Sequence, residues 1–274
     1  MQRRNFLTAS LAASALALTR ESAAQATAAQ HAPAFADLAV PLEYYQIRRY
    51  QLHSGPQTTL TQSYFADALI PALSRLGLGP IGAFQADIGS QSPAYYLLIP
   101  SASIEALAQI TLRLAADPAF LKAADPFWNA PASAPSFDRV ETSLLSAFSG
   151  WPRLTPPPAT AAKSKRIFQM RTYESPSEQA HIRKVEMFHS GEFACFQAAG
   201  FHPVFFGDTL IGSRMPCLTY MLSLSSIDEY NARWDAFRNH PDWKKLSANP
   251  RYSYEPIVSN ITNLILSPLP SSQI

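Results

Sequence analysis

The chain repeats itself, and the repeat limits its fold more than any other feature. Tyr45-Gln46-Ile47-Arg48-Arg49-Tyr50 returns 123 residues later as Phe168-Gln169-Met170-Arg171-Thr172-Tyr173. At the same offset, Leu76-Gly77 and Pro80 return as Ala199-Gly200 and Pro203. Ser103-Ile104-Glu105 returns as Ser226-Ile227-Asp228, and Asp117-Pro118-Ala119-Phe120 as His240-Pro241-Asp242-Trp243. A unit of about 105 residues is domain-sized, unlike the roughly 20–50 residues of a solenoid repeat. Two similar domains are therefore expected over 42–148 and 166–270. Between them, residues 149–165 are rich in Pro, Ala and Ser and form a linker by composition.

Each copy reads in the same order. A strand (Tyr44–Gln51; Ile167–Tyr173) precedes a long helix that ends at Gly77 or Gly200, where glycine suits a left-handed cap. Ser54 with Gln57, and Ser175 with Glu178 behind Pro176, are expected capping boxes. Two strands follow (Ile81–Ile88 and Ala94–Ile99; Pro203–Ile211 and Leu218–Leu224), then a second helix (Ile104–Ala116; Ile227–Asn239) and a last strand (Val140–Phe148; Ile257–Leu266). This βαββαβ order predicts an α+β fold of two tandem ferredoxin-like domains. Successive side chains on a strand point to opposite faces. Ile47 and Met170 are expected to meet the helices, leaving Gln46, Arg48, Tyr50, Gln169, Arg171 and Tyr173 on the free face. That face needs a cover. The sheet of the other copy supplies one, giving an intrachain dimeric α/β barrel packed sheet to sheet.

Residues 1–26 read as an export signal. Arg3-Arg4-Asn5-Phe6-Leu7 fits the twin-arginine pattern, Thr8 to Leu18 is a short apolar run, and Ala24-Gln25-Ala26 is an A-x-A cleavage site. A periplasmic or extracellular location is expected, with residues 27–41 as an N-terminal linker and no membrane span after cleavage. Cleavage removes Arg3, Arg4, Arg20 and Glu21, leaving 19 basic and 19 acidic side chains. That balance argues against nucleic acid, which requires a basic face, and leaves a small molecule or a second copy of the chain as partners. Cys195 and Cys217 could pair in an oxidising compartment or stay as packed thiols.

The motifs Tyr-x-Ile-Arg-x-Tyr and Phe-x-Met-Arg-x-Tyr, and the Trp234-x-x-Phe237 helix followed by His240-Pro-Asp-Trp-Lys-Lys245, resemble the NIPSNAP domain. The resemblance covers Tyr44 to Phe148 and Arg166 to Leu269. It is stronger in the second copy, where Pro203-Val-Phe-Phe-Gly207 and Trp243 are intact; Phe120 replaces Trp243 in the first. It implies a dimeric α/β-barrel fold and no agreed reaction, in a superfamily that includes cofactor-independent monooxygenases, haem-handling proteins and enzymes of small aromatic substrates.

Arg48 and Arg171 either offer a cation to an anionic ligand or pair internally, with Glu141, Glu174 or Glu255 as partners; pairing is the favoured reading. Tyr50 and Tyr173 accompany them, with Gln169 alongside. Glu186-x-x-His189 and Glu178-x-x-His181 have the spacing of carboxylate–histidine metal pairs. Both lie on one helix, about 12 Å apart, where a di-iron site needs facing helices. Neither a metal nor a cofactor is expected. A polar cluster of Glu186, His189 and Glu192 between helix and sheet is the better reading, with His189 as an acid–base group. Gly77-Leu-Gly79-Pro-Ile-Gly82 fits G-x-G-x-x-G but runs from helix to strand, the reverse of a dinucleotide site. Three functions stay open: a small-molecule-binding protein using Arg48, Tyr50, Gln169, Glu186 and Glu192; a cofactor-independent oxygenase or isomerase using His189, Tyr173 and Arg171; or a non-catalytic structural protein.

Overall fold

A computed structural model describes residues 41–53, 55–88 and 93–274. The expected signal segment, nearly all of the N-terminal linker and Ser54 lie outside the described residues. The first copy runs β1 (Tyr44–Gln51), α1 (Pro56–Ser63), a π-helical turn (Tyr64–Leu69), α2 (Ile70–Arg75), β2 (Gly82–Ile88), β3 (Ala94–Ser101), α3 (Ile104–Ala108), α4 (Ile110–Ala115), α5 (Pro118–Trp128) and β4 (Arg139–Ala147). A short helix, α6 (Pro158–Ala161), lies in the linker. The second copy runs β5 (Ile167–Glu174), α7 (Glu178–Met187), a π-helical turn (Phe188–Glu192), α8 (Phe193–Ala198), β6 (His202–Ile211), β7 (Cys217–Leu224), α9 (Ile227–Asn239), α10 (Pro241–Ser247), a 3-10 turn (Pro250–Tyr252), α11 (Tyr254–Ile257) and β8 (Asn260–Pro268). Even the π-helical turns recur at the repeat offset, Phe65 matching Phe188.

The eight strands close into one antiparallel barrel, β1-β3-β2-β8-β5-β7-β6-β4. The copies therefore do not merely stack face to face. They join edge to edge, β2 on β8 (Ala86 opposite Leu266) and β4 on β6 (Ser146 opposite Asp208). Closure pairs the backbone groups that an edge strand would otherwise leave open. The linker is tied to this barrel: the Thr155 amide donates to the Val204 carbonyl at 2.8 Å and the Leu154 amide to the Glu43 carboxylate at 2.7 Å.

The expected facing of the strands is inverted. Ile47 and Met170 point into the barrel with Tyr45, Phe84, Phe168 and Phe205. Tyr50 and Tyr173 point outward into the helix layer, Tyr50 against Phe65. Gln46 follows Tyr50, donating to the Leu107 carbonyl at 3.2 Å, and Arg171 lies over Trp234 of α9. The inversion has a physical source. A closed barrel of this width is filled by side chains, and its floor takes aromatic and aliphatic residues; the helix layer takes long polar ones that can satisfy one another. Ile274 closes the floor, fully buried against Gly82 and Phe84, where Gln273 accepts the Ile81 amide at 2.7 Å.

Two local expectations change. The cap of α7 is Ser177, whose hydroxyl accepts the Ala180 amide; Ser175 instead donates to the Ile257 carbonyl at 2.8 Å. The last strand starts at Asn260 because Tyr254–Ile257 forms a helical turn. Ser177→Ala is expected to cost about 1 kcal/mol in urea unfolding, the ordinary loss for a serine N-cap. Cys195 and Cys217 are buried free thiols.

Candidate functional site

Of the expected site residues of the second copy, Gln169, Arg171, Tyr173 and Glu192 gather between β5 and the helices. Lys184, Phe188 and Glu192 lie four residues apart, on the stretch where α7 passes into the π-helical turn. Lys184 Nζ is 2.7 Å from Glu192 Oε2, and both side chains are buried. The ammonium also stands 4.6 Å from the Phe188 ring centroid and 5.2 Å from that of Tyr173. Tyr173 and Tyr220 share a hydrogen bond of 3.0 Å. The Arg171 guanidinium lies 4.5 Å from the Trp234 centroid and 5.1 Å from that of Tyr173, and its Nε is buried without a hydrogen-bond partner. The Trp234 indole N–H donates to Gln169 Oε1 at 2.7 Å, and the Gln169 amide donates to Asn263 at 2.6 Å.

Burial dominates the electrostatics of this cluster. It pushes Lys184 down and Glu192 up, each opposed by the charge of its partner. Tyr173 is pushed up to about 12 by burial, against the pull of Arg171, and Tyr220 is raised well above a normal phenol. Burial opposes the Arg171 charge as well, but the Tyr220, Tyr173 and Tyr230 phenols and Glu192 outweigh it and raise its pKa. The first copy has no such cluster. At the repeat offset, Thr61, Leu69 and Leu97 stand where Lys184, Glu192 and Tyr220 stand. There Arg48 Nε donates to Gln46 Oε1 at 2.6 Å.

The remaining expected residues are dispersed. Glu186 receives two hydrogen bonds from Arg251, at 2.7 and 2.6 Å, and one from the Tyr252 hydroxyl at 2.8 Å, tying α7 to the 3-10 turn. His189 Nδ1 faces the Val185 carbonyl at 2.9 Å and therefore carries the proton, while Nε2 accepts the Gly150 amide at 3.1 Å. The imidazole thus pins the linker to the second copy. The favoured pairing of Arg48 and Arg171 with Glu141, Glu174 or Glu255 is not found, since no carboxylate among the described residues lies within 4 Å of either. Glu141 holds Arg49 at 2.7 Å, and Glu174 faces Arg214 at 3.7 Å.

The cation that points into the barrel is Arg49, one residue along from the expected Arg48. It lines a cavity of about 310 Å³ at the end of the barrel opposite Ile274. Both copies contribute. Arg49, Tyr96 and Glu141 come from the first; Thr172, Thr219 and Thr262 come from the second. Ile47, Met170 and Leu264 form the apolar floor. Thr172 and Thr219 hydroxyls bond each other at 2.8 Å. Arg214, in the β6–β7 loop, donates from Nη1 to Thr262 Oγ1 at 2.6 Å. Burial raises the Tyr96 phenol above its ordinary value, against the opposing pull of Arg49 and Arg214. Tyr96 therefore stays a neutral hydroxyl on the cavity wall. Sequence reasoning missed this set because both faces of β1 carry Tyr and Arg, so alternation alone does not say which face is inside. The signal that could have found it is the run of threonines at paired positions, Thr172 opposite Thr219 and Thr262.

The NIPSNAP family pattern matches residues 45–134 and 168–273. No curated protein matches the chain significantly. A structure from Fusobacterium nucleatum subsp. nucleatum ATCC 25586, whose name proposes a monooxygenase, is 9% identical with a TM-score of 0.54, over 83% of this chain and 93% of that one. One of similar name from Lactobacillus acidophilus NCFM is 9% identical with a TM-score of 0.52, over 83% and 94%. At these identities the likeness is one of fold. A NIPSNAP family protein of unknown function from Agrobacterium tumefaciens str. C58 is 17% identical over 38% of this chain and 89% of its own, with a TM-score of 0.34.

Proposed function

Because this chain belongs to the NIPSNAP family and its barrel opens into a walled cavity, we propose that it is a small-molecule-binding protein whose ligand sits in the barrel mouth. The cavity carries this reading. An apolar floor with a few convergent polar groups at the rim is the usual construction of a ligand site, and here both copies must be present to build it. The strand orders β4-β1-β3-β2 and β8-β5-β7-β6 support two ferredoxin-like units in tandem. Arg3-Arg4 with Ala24-Gln25-Ala26 supports export by the twin-arginine route to the periplasm or beyond.

A second reading, a cofactor-independent oxygenase or isomerase, is favoured by one observation: Arg171 and Tyr173 lie among buried polar groups, and the Arg171 Nε has no partner. One experiment separates the two. Ser143 lines the cavity, and a tryptophan there fills the mouth. Native mass spectrometry of the purified protein is expected to show a small-molecule adduct that Ser143→Trp loses and Arg171→Met keeps. The opposite pattern moves the ligand to the helix side of β5 and sinks the barrel-mouth reading.

A further inference from the structure

We infer that the ligand of the barrel mouth is a monocarboxylate with an apolar body, its carboxylate held at the rim by Arg214 together with Arg49 and Tyr96. This rests on the barrel-mouth reading above and adds the chemical class. Two guanidinium groups, Arg49 and Arg214, stand on the cavity wall with Glu141, which Arg49 holds at 2.7 Å. Arg214 is the group that can present a positive charge to a ligand. Only its Nη1 is engaged, by Thr262 at 2.6 Å and by Glu174 at 3.7 Å, and its side chain is 44% exposed. The remaining edge of its guanidinium fork is the geometry that grips a carboxylate with two parallel hydrogen bonds.

Tyr96, on the same wall, adds a phenol hydroxyl that can donate to the anion. The threonine hydroxyls extend the polar wall downward. Below them, Ile47, Met170 and Leu264 offer nothing to an inorganic anion, whose hydration would be lost without compensation. The same surface favours burial of an apolar body. A volume of about 310 Å³ stands at the small end of the ligand-pocket range, roughly 300–1,000 Å³, so the body is compact.

The test is calorimetric titration of the mature chain with three compounds of one body: 4-phenylbutanoate, 4-phenylbutanamide and 4-phenylbutylamine. The acid is expected to bind at least about ten-fold more tightly than the amide, a difference of about 1.4 kcal/mol, and the amine more weakly still. Arg214→Gln is expected to bring the acid down to the affinity of the amide and leave the amide unchanged. Arg214 lies in a loop and half in solvent, so the fold is retained, and near-ultraviolet circular dichroism checks it. An acid that fails to bind, or that binds no better than the amide, overturns the inference, as does acid binding that Arg214→Gln leaves intact. Amide or amine binding that is lost in Ser143→Trp but shows no preference for the acid overturns the carboxylate alone and keeps the barrel-mouth site. Acid binding that survives Ser143→Trp overturns both.

Discussion

Lys184→Met is expected to cost the fold about 3–5 kcal/mol in urea unfolding, whereas Lys184→Met with Glu192→Leu is expected to be neutral or stabilising by about 1–4 kcal/mol. The single change strands a carboxylate that is almost wholly buried; the double change removes both ions and fills the space with apolar atoms. The contrast separates the two costs of a buried pair, desolvation of each charge and loss of the partner. It also has a pH signature. Burial raises Glu192 above its ordinary 4.5, so its protonation favours the folded state. That contribution is fully present below the unfolded value and is lost as pH rises through the raised folded one. Without Lys184 only the more weakly acting charge of Arg171 opposes the rise. The penalty of Lys184→Met is therefore expected to shrink toward pH 4 and to grow toward neutrality. A penalty independent of pH would show that Glu192 reaches water in the variant.

Phe206→Ala is the second large effect. Phe206 is fully buried, with ring centroids of Phe193, Phe188, Tyr220 and Trp151 at 4.8, 5.4, 5.4 and 5.6 Å. These rings come from the second π-helical turn, α8, β7 and the linker, so the phenyl group joins four segments. Truncation leaves a cavity walled by rigid aromatic rings that cannot close on it. The expected loss is about 3–5 kcal/mol. At roughly 2–4 °C per kcal/mol for a chain of this size, the midpoint should fall by about 6–20 °C in calorimetry. Phe206 faces the helices and not the lumen, so the small-molecule adduct of the folded variant should persist. Loss of the adduct from still-folded protein would mean that the helix layer and the barrel mouth are coupled.

The sequence and the structure agree where the physics is local. β1 and β3 begin where the apolar and aromatic runs begin, and Gly77 and Gly200 close their helices with positive φ. Local capping was less legible. Serines stand at both 175 and 177, and tertiary packing sends Ser175 to the Ile257 carbonyl, leaving Ser177 as the cap. Among candidate site residues, Arg171, Tyr173 and Gln169 were legible as one face of β5, but alternation put that face away from the helix that carries Glu192; only the inverted facing brings the four into one buried neighbourhood. Lys184 escaped notice because a lysine on a helix is ordinarily solvated. Its burial follows only from docking α7 onto the sheet.

By itself the sequence determined that the chain is a duplication, the order of elements in each copy and the two sets of side chains on each strand. The tertiary structure decided which set is inside. Alternation has a period of two and specifies two faces without a sign, and Arg48 and Arg49 put a cation on each. Closure supplied the sign. Once β2 meets β8 and β4 meets β6, the lumen is a space of set width that Tyr45, Phe84, Phe168 and Phe205 fill at one end. The polar residues of those same faces are left at the other end, around an opening with Arg49, Tyr96 and the threonines on its wall.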